Sequence, residues 1–204
     1  MCICSTTTSK MRPPSGDPDR KARFDALSSR VKGCHKCEGL NIEGATESAP
    51  GFGNLFSRIA IIGQSLCKEC MKTQIPFTGG CGRVLDQAFK LSGIRKSDVF
   101  ITNVVHCHTP RNRESLPSEV ANCREYLLEE FEIVKPKAIV TLGKDPSTSL
   151  LGESCWPSLV GKDVRQDART IYPLYHPSYI LRLGSVKTQR YVDSLAGILR
   201  SECQ

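Results

Sequence analysis

Val99-Phe100-Ile101-Thr102-Asn103-Val104-Val105 is apolar on both of the faces that a strand would present, interrupted only by a Thr-Asn pair near its end. A strand of that kind must be covered on both sides, which is the signature of a parallel sheet inside an α/β protein. Three further runs read the same way: Ile59-Ala60-Ile61-Ile62, the segment 138–142, and the segment 170–175. Between and after them the apolar spacing changes to that of helices. Residues 82–91 place Val84, Leu85, Ala88 and Leu91 on one face. Residues 118–134 form a second helix with Ser118 as its cap, a short helix follows Gly143 to Leu151, and 186–199 closes the chain. Before the first strand, 19–32 has helical spacing through Phe24, Leu27 and Val31. The predicted fold is a three-layer α/β/α sandwich with a central four-stranded parallel sheet. The predicted organisation is a polar, disordered lead over 1–18 and one domain over 19–204.

Open sheets of this type bind ligands beyond the carboxyl ends of their strands. The residues at those four ends are Gly63-Gln64-Ser65, Asn103, Gly143-Lys144 and His176-Pro177-Ser178. The chain of 204 residues carries a net charge of +7, which suits a polyanionic partner. No stretch is long and apolar enough to span a membrane, and the start lacks the pattern of a secretory signal, so a cytoplasmic protein with reduced thiols is expected.

Eleven cysteines is a high number for this length. In a reducing compartment they point to metal or cluster ligation rather than to a disulfide framework. Chance alone yields roughly 0.6 of a Cys-x-x-Cys pair at this composition, so neither Cys34/Cys37 nor Cys67/Cys70 is diagnostic by itself. Cys34 and Cys37 together with Cys107 and Cys123 make two sequence-distant pairs, which is what a tetrahedral metal or an iron–sulfur cluster requires. Zinc and a cluster both remain open on the residues alone.

The strand ends taken together resemble the uracil-DNA glycosylase superfamily, and most closely its iron–sulfur (family four) branch. The resemblance rests on Gly63-Gln64-Ser65-Leu66 leading to Pro76-Phe77-Thr78-Gly79. It rests also on Ile101-Thr102-Asn103-Val104-Val105 followed by Cys107, and on His176-Pro177-Ser178-Tyr179-Ile180-Leu181-Arg182. It extends from about Cys34 to Leu199. It implies a DNA repair enzyme that hydrolyses the bond between uracil and deoxyribose in single- or double-stranded DNA, acting as a monomer. It implies a structural [4Fe-4S] cluster on Cys34, Cys37, Cys107 and Cys123, in preference to zinc. By the same resemblance Phe77 stacks on the flipped base, Asn103 pairs with its edge, and Gly63 borders the pocket. His176 stabilises the leaving uracil anion, Gln64 and Ser65 occupy the water-activating positions, and Ile180, Leu181 and Arg182 form the loop that enters the duplex. Arg113 and Lys187 are candidate phosphate contacts.

The chain departs from the branch in its first motif. Family four places a glutamate after the opening glycine and another branch an aspartate one position later. Here Gln64 and Ser65 stand there, and neither is a base near neutral pH. Catalysis then leans on His176 and on positioning; the alternative is a catalytically weak or inactive protein that binds DNA lesions. Cys67, Cys70 and Cys81 fall in the altered loop, as incidental substitutions or as a metal or redox site. His106 and His108 flank Cys107 and are read as phosphate contacts or as support for the cluster. No basic insertion carrying a histidine precedes Cys123, so covalent capture of DNA is not expected.

Overall fold

The computed structural model describes residues 18–203. The lead expected over 1–18, with Cys2 and Cys4, lies outside the described residues except for Pro18, which opens the first helix. The elements run α1 (Pro18–Lys32), β1 (Phe52–Gly53), β2 (Ile59–Gly63), α2 (Lys68–Thr73), α3 (Gly82–Ser92), β3 (Phe100–Asn103) and α4 (Pro117–Val134). They continue with β4 (Ala138–Leu142), α5 (Lys144–Leu151), β5 (Val164–Gln166), β6 (Arg169–Leu174), α6 (Pro177–Leu181) and α7 (Ser185–Glu202).

The sheet order is β1-β3-β2-β4-β6-β5. Its four central strands are parallel and are the four expected from the sequence. Among the described residues it has two more strands than expected. β1 pairs antiparallel with β3, and β5 forms an antiparallel hairpin with β6. These edge strands are only two and three residues long and largely exposed, so they carry no apolar run that a sequence could show.

Alternation along the central strands sorts the core into two layers. Ile59 and Ile61 of β2 and Ile101 of β3 point to one side, where Val84, Leu85 and Ala88 of α3 meet Val192, Leu195 and Leu199 of α7. Ala60, Ile62 and Phe100 point to the other, against Leu127 and Phe131 of α4. Leu27 and Val31 of α1 pack on Tyr126 and Ile133 of α4. Helix α4 begins at Pro117 rather than at Ser118. Proline suits the first helical position, and Glu119 accepts the Leu116 N–H at 2.8 Å, so the cap comes from the carboxylate and not from the serine.

One ionisable group lies inside the α4-side layer. Glu130 is fully buried and accepts from Thr102 Oγ1 at 2.5 Å and from the Gly51 N–H at 2.7 Å, with His106 Nε2 at 3.2 Å. Every contact to its carboxylate is a donor, which is how a carboxyl group is tolerated without water.

Candidate active site

The register of the sheet assembles the site. Gly63 at the end of β2 pairs with Asn103 at the end of β3, and Leu142 of β4 pairs with Leu174 of β6, just before Gly143 and His176. All four strand ends singled out by the sequence therefore open on one edge of the sheet.

Asn103 is buried there, and a side chain at Gly63 would collide with it. A Cβ at that position would sit 2.5 Å from Asn103 Oδ1 and 2.9 Å from Phe77 Cζ. The missing side chain is what lets the amide and the ring approach the strand end. Phe77 has a left-handed backbone (φ 53°), and Lys96 Nζ donates to its carbonyl at 3.3 Å. Its ring is buried at the margin of the α3/α7 core, with one side on the cleft. Gly63→Ala is expected to displace both side chains and to weaken base binding by at least tenfold. Its KM should rise on uracil-containing oligonucleotides while the melting temperature moves by only a few degrees. An unchanged KM would show that neither group contacts the base.

His176 is held from both sides. Gly143 (φ +109°) leaves no room for a side chain, since a Cβ would lie 3.3 Å from His176 Cβ. The His176 and Phe77 ring centroids are 6.4 Å apart. The backbone N–H of Ser178 points at His176 Nδ1 from 3.2 Å, and Ser178 Oγ lies 2.7 Å from the same nitrogen. A backbone N–H can only donate, so Nδ1 is an acceptor and the proton of the neutral ring resides on Nε2. Burial, with a smaller contribution from Arg182, pushes the imidazole below its ordinary pKa. At neutral pH the ring is thus an uncharged donor. Its NMR titration midpoint should lie below the ordinary histidine value of about 6.5. A midpoint at or above the usual value would contradict this.

Gln64, Phe77, Asn103, Gly143, His176 and Arg182 line one cleft of about 560 Å³. Gln64 and Ser65 are occupied with local structure. Gln64 Nε2 donates to the Arg113 carbonyl at 3.0 Å, and Ser65 Oγ lies 3.3 Å from Thr109 Oγ1, which itself donates to the same carbonyl at 2.8 Å. Sequence reasoning missed Asp145, which reaches the cleft from the start of α5. Burial raises its carboxyl pKa, and its Oδ2 is buried without a hydrogen-bond partner. The only signal was its place two residues after a strand-end glycine.

The surface residues divide. Ile180 is 5% exposed and belongs to the core, so it cannot enter a duplex, whereas Leu181 is 44% exposed. The helical turn of α6 turns these neighbours in different directions. Arg182 and Lys187 are exposed, with the Arg182 guanidinium 6.0 Å from the Tyr179 ring centre. Arg113 is engaged by Glu119, with Nη1 2.9 Å from Oε2 and Nη2 2.5 Å from Oε1; this pair fastens the loop to α4. The reading of His106 and His108 as phosphate contacts is corrected. They are 2% and 5% exposed, because the segment after β3 is covered by isolated bridges from Ser48 to Cys107 and from Leu66 to His108. His108 Nδ1 lies 2.8 Å from the Leu66 carbonyl, and His106 is bound to Glu130.

Cys107 and Cys123 are buried, and Cys34 and Cys37 are partly exposed. Burial pushes the Cys107 thiol up to about 12, helped by the nearby Cys123, Cys34 and Cys37 sulfurs, so all four are within electrostatic reach of one another. Asn122 Nδ2 donates to Cys37 Sγ at 3.4 Å. His106 Nδ1 is buried without a geometric hydrogen-bond partner, although its ring interacts with Cys123. Among the described residues no group of three or more His, Cys, Asp or Glu side chains is arranged to hold a metal ion. No helix among them is long and apolar enough to cross a membrane.

Comparisons with known proteins agree with this geometry. Residues 50–200 match the family model described as the uracil DNA glycosylase superfamily. A type-4 uracil-DNA glycosylase of Thermotoga maritima is 36% identical over 179 residues, spanning 85% of this chain and 91% of the relative. One of the same type from Sulfurisphaera tokodaii is 32% identical over 78% of this chain and 76% of its own length. A type-5 uracil-DNA glycosylase of Pyrobaculum aerophilum is 28% identical over 89% and 85%. With more than half its length matched by the family model, and with the strand-end residues meeting in one cleft, this chain belongs to the uracil-DNA glycosylase superfamily.

Proposed function

We propose that the protein removes uracil from DNA inside the cell, as a monomer, by hydrolysing the base–sugar bond and leaving an abasic site. The observation that carries this reading is the meeting of Asn103, Phe77 and His176 on one cleft, with the His176 Nε2–H free to donate. A base acted on in duplex DNA must leave the stack and enter such a pocket. Phe77 offers it a ring face. The Asn103 amide has one donor and one acceptor, matching the O4 and N3–H of uracil. As the bond to the sugar breaks, negative charge develops on the base, and the Nε2–H meets it where it forms.

Leu181, the exposed apolar residue of α6, fills the space left by the flipped base, while Arg182 and Lys187 contact phosphate. Leu181→Ala should therefore lower the rate on duplex substrate about tenfold and leave single strands nearly unaffected. Equal losses on both would assign Leu181 another role.

Cys34, Cys37, Cys107 and Cys123 would hold a [4Fe-4S] cluster. Four thiols within electrostatic reach of one another support a four-cysteine site, and the resemblance to the iron–sulfur branch favours a cluster over zinc. The cluster would supply a structural fastening of the segment after α1 to the end of β3 and to α4. Iron and sulfide analysis of purified protein tests this, and zinc alone would overturn it.

Incubation with uracil-containing single- and double-stranded oligonucleotides, followed by alkaline cleavage, tests the activity. Scission at the uracil position is expected. The lack of a carboxylate at Gln64 or Ser65 favours a second reading, a protein that binds lesions without cutting. Retained binding with no abasic product would select it.

A further inference from the structure

Cys67 and Cys70 line the same cleft as Phe77 and His176, in the altered loop. Cys67 caps α2, its sulfur accepting the Cys70 N–H at 3.2 Å. That turn brings the two sulfurs close enough for each to perturb the other. Both also reach the carbonyl of Thr78, Cys67 Sγ at 3.3 Å and Cys70 Sγ at 3.8 Å. Thr78 directly follows Phe77, whose left-handed backbone persists only because its surroundings hold it.

We propose that Cys67 and Cys70 are a redox modification site, closing to a disulfide that draws both sulfurs away from the Thr78 carbonyl and disturbs the Phe77 wall of the cleft. The Cys67 thiol beside it, against the opposing effect of burial, holds the Cys70 thiol below its usual range, while Cys67 is raised. Cys70 is buried in the cleft wall and Cys67 partly exposed, so peroxide reaches the pair through the cleft, where a sulfur of lowered pKa beside a resolving thiol is the arrangement that oxidises. Cys81 also lines the cleft, but burial raises its thiol pKa.

With hydrogen peroxide as oxidant, the Cys70 thiolate attacks one oxygen and the O–O bond breaks. The other oxygen leaves as water after taking a proton, and Cys70 becomes a sulfenic acid. The Cys67 sulfur then attacks the Cys70 sulfur, the S–O bond breaks, and the hydroxyl leaves with the Cys67 proton as a second water. Two thiols lose two electrons and two protons, and peroxide is reduced to two waters. A thiol reductant reverses the change.

The consequence for activity rests on the glycosylase reading; the disulfide does not. Purified full-length protein is treated with hydrogen peroxide and its remaining thiols are alkylated. Peptide masses then locate the disulfide, the rate of uracil release is measured before and after dithiothreitol, and visible absorbance follows the iron–sulfur centre. We expect a Cys67–Cys70 disulfide and a rate lowered about five- to tenfold, as loss of two weak hydrogen bonds would give, and restored by the reductant. In Cys70→Ser the ratio of treated to untreated rates should stay near one, whatever its starting rate. Alkylation of both thiols after peroxide, a Cys70–Cys81 disulfide, or a Cys67–Cys70 disulfide with unchanged rate would each overturn the proposal. So would a rate loss that follows bleaching of the visible absorbance and is shared by Cys70→Ser. If untreated protein releases no uracil, the glycosylase reading falls, and the peptide masses still decide the disulfide.

Discussion

Replacing His176 with alanine should lower the rate of uracil release by about 10²–10³-fold, the usual cost of removing one donor to a developing anion. The first motif offers little to compensate. Gln64 and Ser65 stand where related branches carry an acid, and the Gln64 amide nitrogen is spent on the Arg113 carbonyl. The load therefore falls on leaving-group stabilisation by a ring whose donor atom is settled before substrate arrives, because Ser178 occupies Nδ1. The loss should appear in kcat with KM for DNA nearly unchanged, as expected for an interaction made chiefly in the transition state. Gln64→Ala removes one hydrogen bond that shapes a loop and should cost less than about tenfold. Single-turnover rates on a uracil oligonucleotide check both, and a His176→Ala protein as fast as the parent would end the assignment.

The second large effect is on stability. Glu130→Ala should destabilise the fold by about 3–5 kcal/mol, lowering the melting temperature by roughly 6–20 °C. The carboxylate is fully buried and serves three donors at once, from Thr102, Gly51 and His106. Burial by itself would drive the His106 ring to its neutral form; the Glu130 charge and the neighbouring Cys123 together outweigh this and raise its pKa to about 10. Removing the carboxylate leaves the Thr102 hydroxyl, the Gly51 N–H and the His106 ring without their shared acceptor. The double variant Glu130→Ala/His106→Ala should cost clearly less than the sum of the single variants, since the two groups act as a pair. Thermal unfolding of the four proteins measures this, and strict additivity would show that the pair is not coupled.

The central strands were legible because burial on both faces forces near-continuous apolar runs, as in Ile59–Ile62. The edge strands were not. Phe52–Gly53 pairs because β3 offers an open edge, and Val164–Gln166 because it folds back on β6. At the site, Gly63, Asn103 and His176 stood out because strand ends are where such sheets place ligands. Other features depend on contacts far apart in the chain. Glu130 lies in a helix beside Glu129 and Glu132, and nothing local separates it from a solvated charge. Arg113 reads as a phosphate contact until the Glu119 carboxylate is seen engaging its guanidinium. Ile180 and Leu181 are equivalent as letters, and the turn of α6 decides which one meets solvent.

The His176 ring begins α6 as well as lining the cleft. A proton added at Nδ1 would face the Ser178 N–H, donor against donor, and release the start of the helix that carries Leu181 and Arg182. Because the fold favours the neutral ring, this contribution is intact above the unfolded pKa of about 6.5 and is lost as the pH falls through and below it. Acid would thus disable two operations through one nitrogen: bond cleavage, and the grip on the opened duplex. The acid limit of this protein should accordingly show as a joint failure of rate and duplex affinity, rather than as a simple titration of the chemical step.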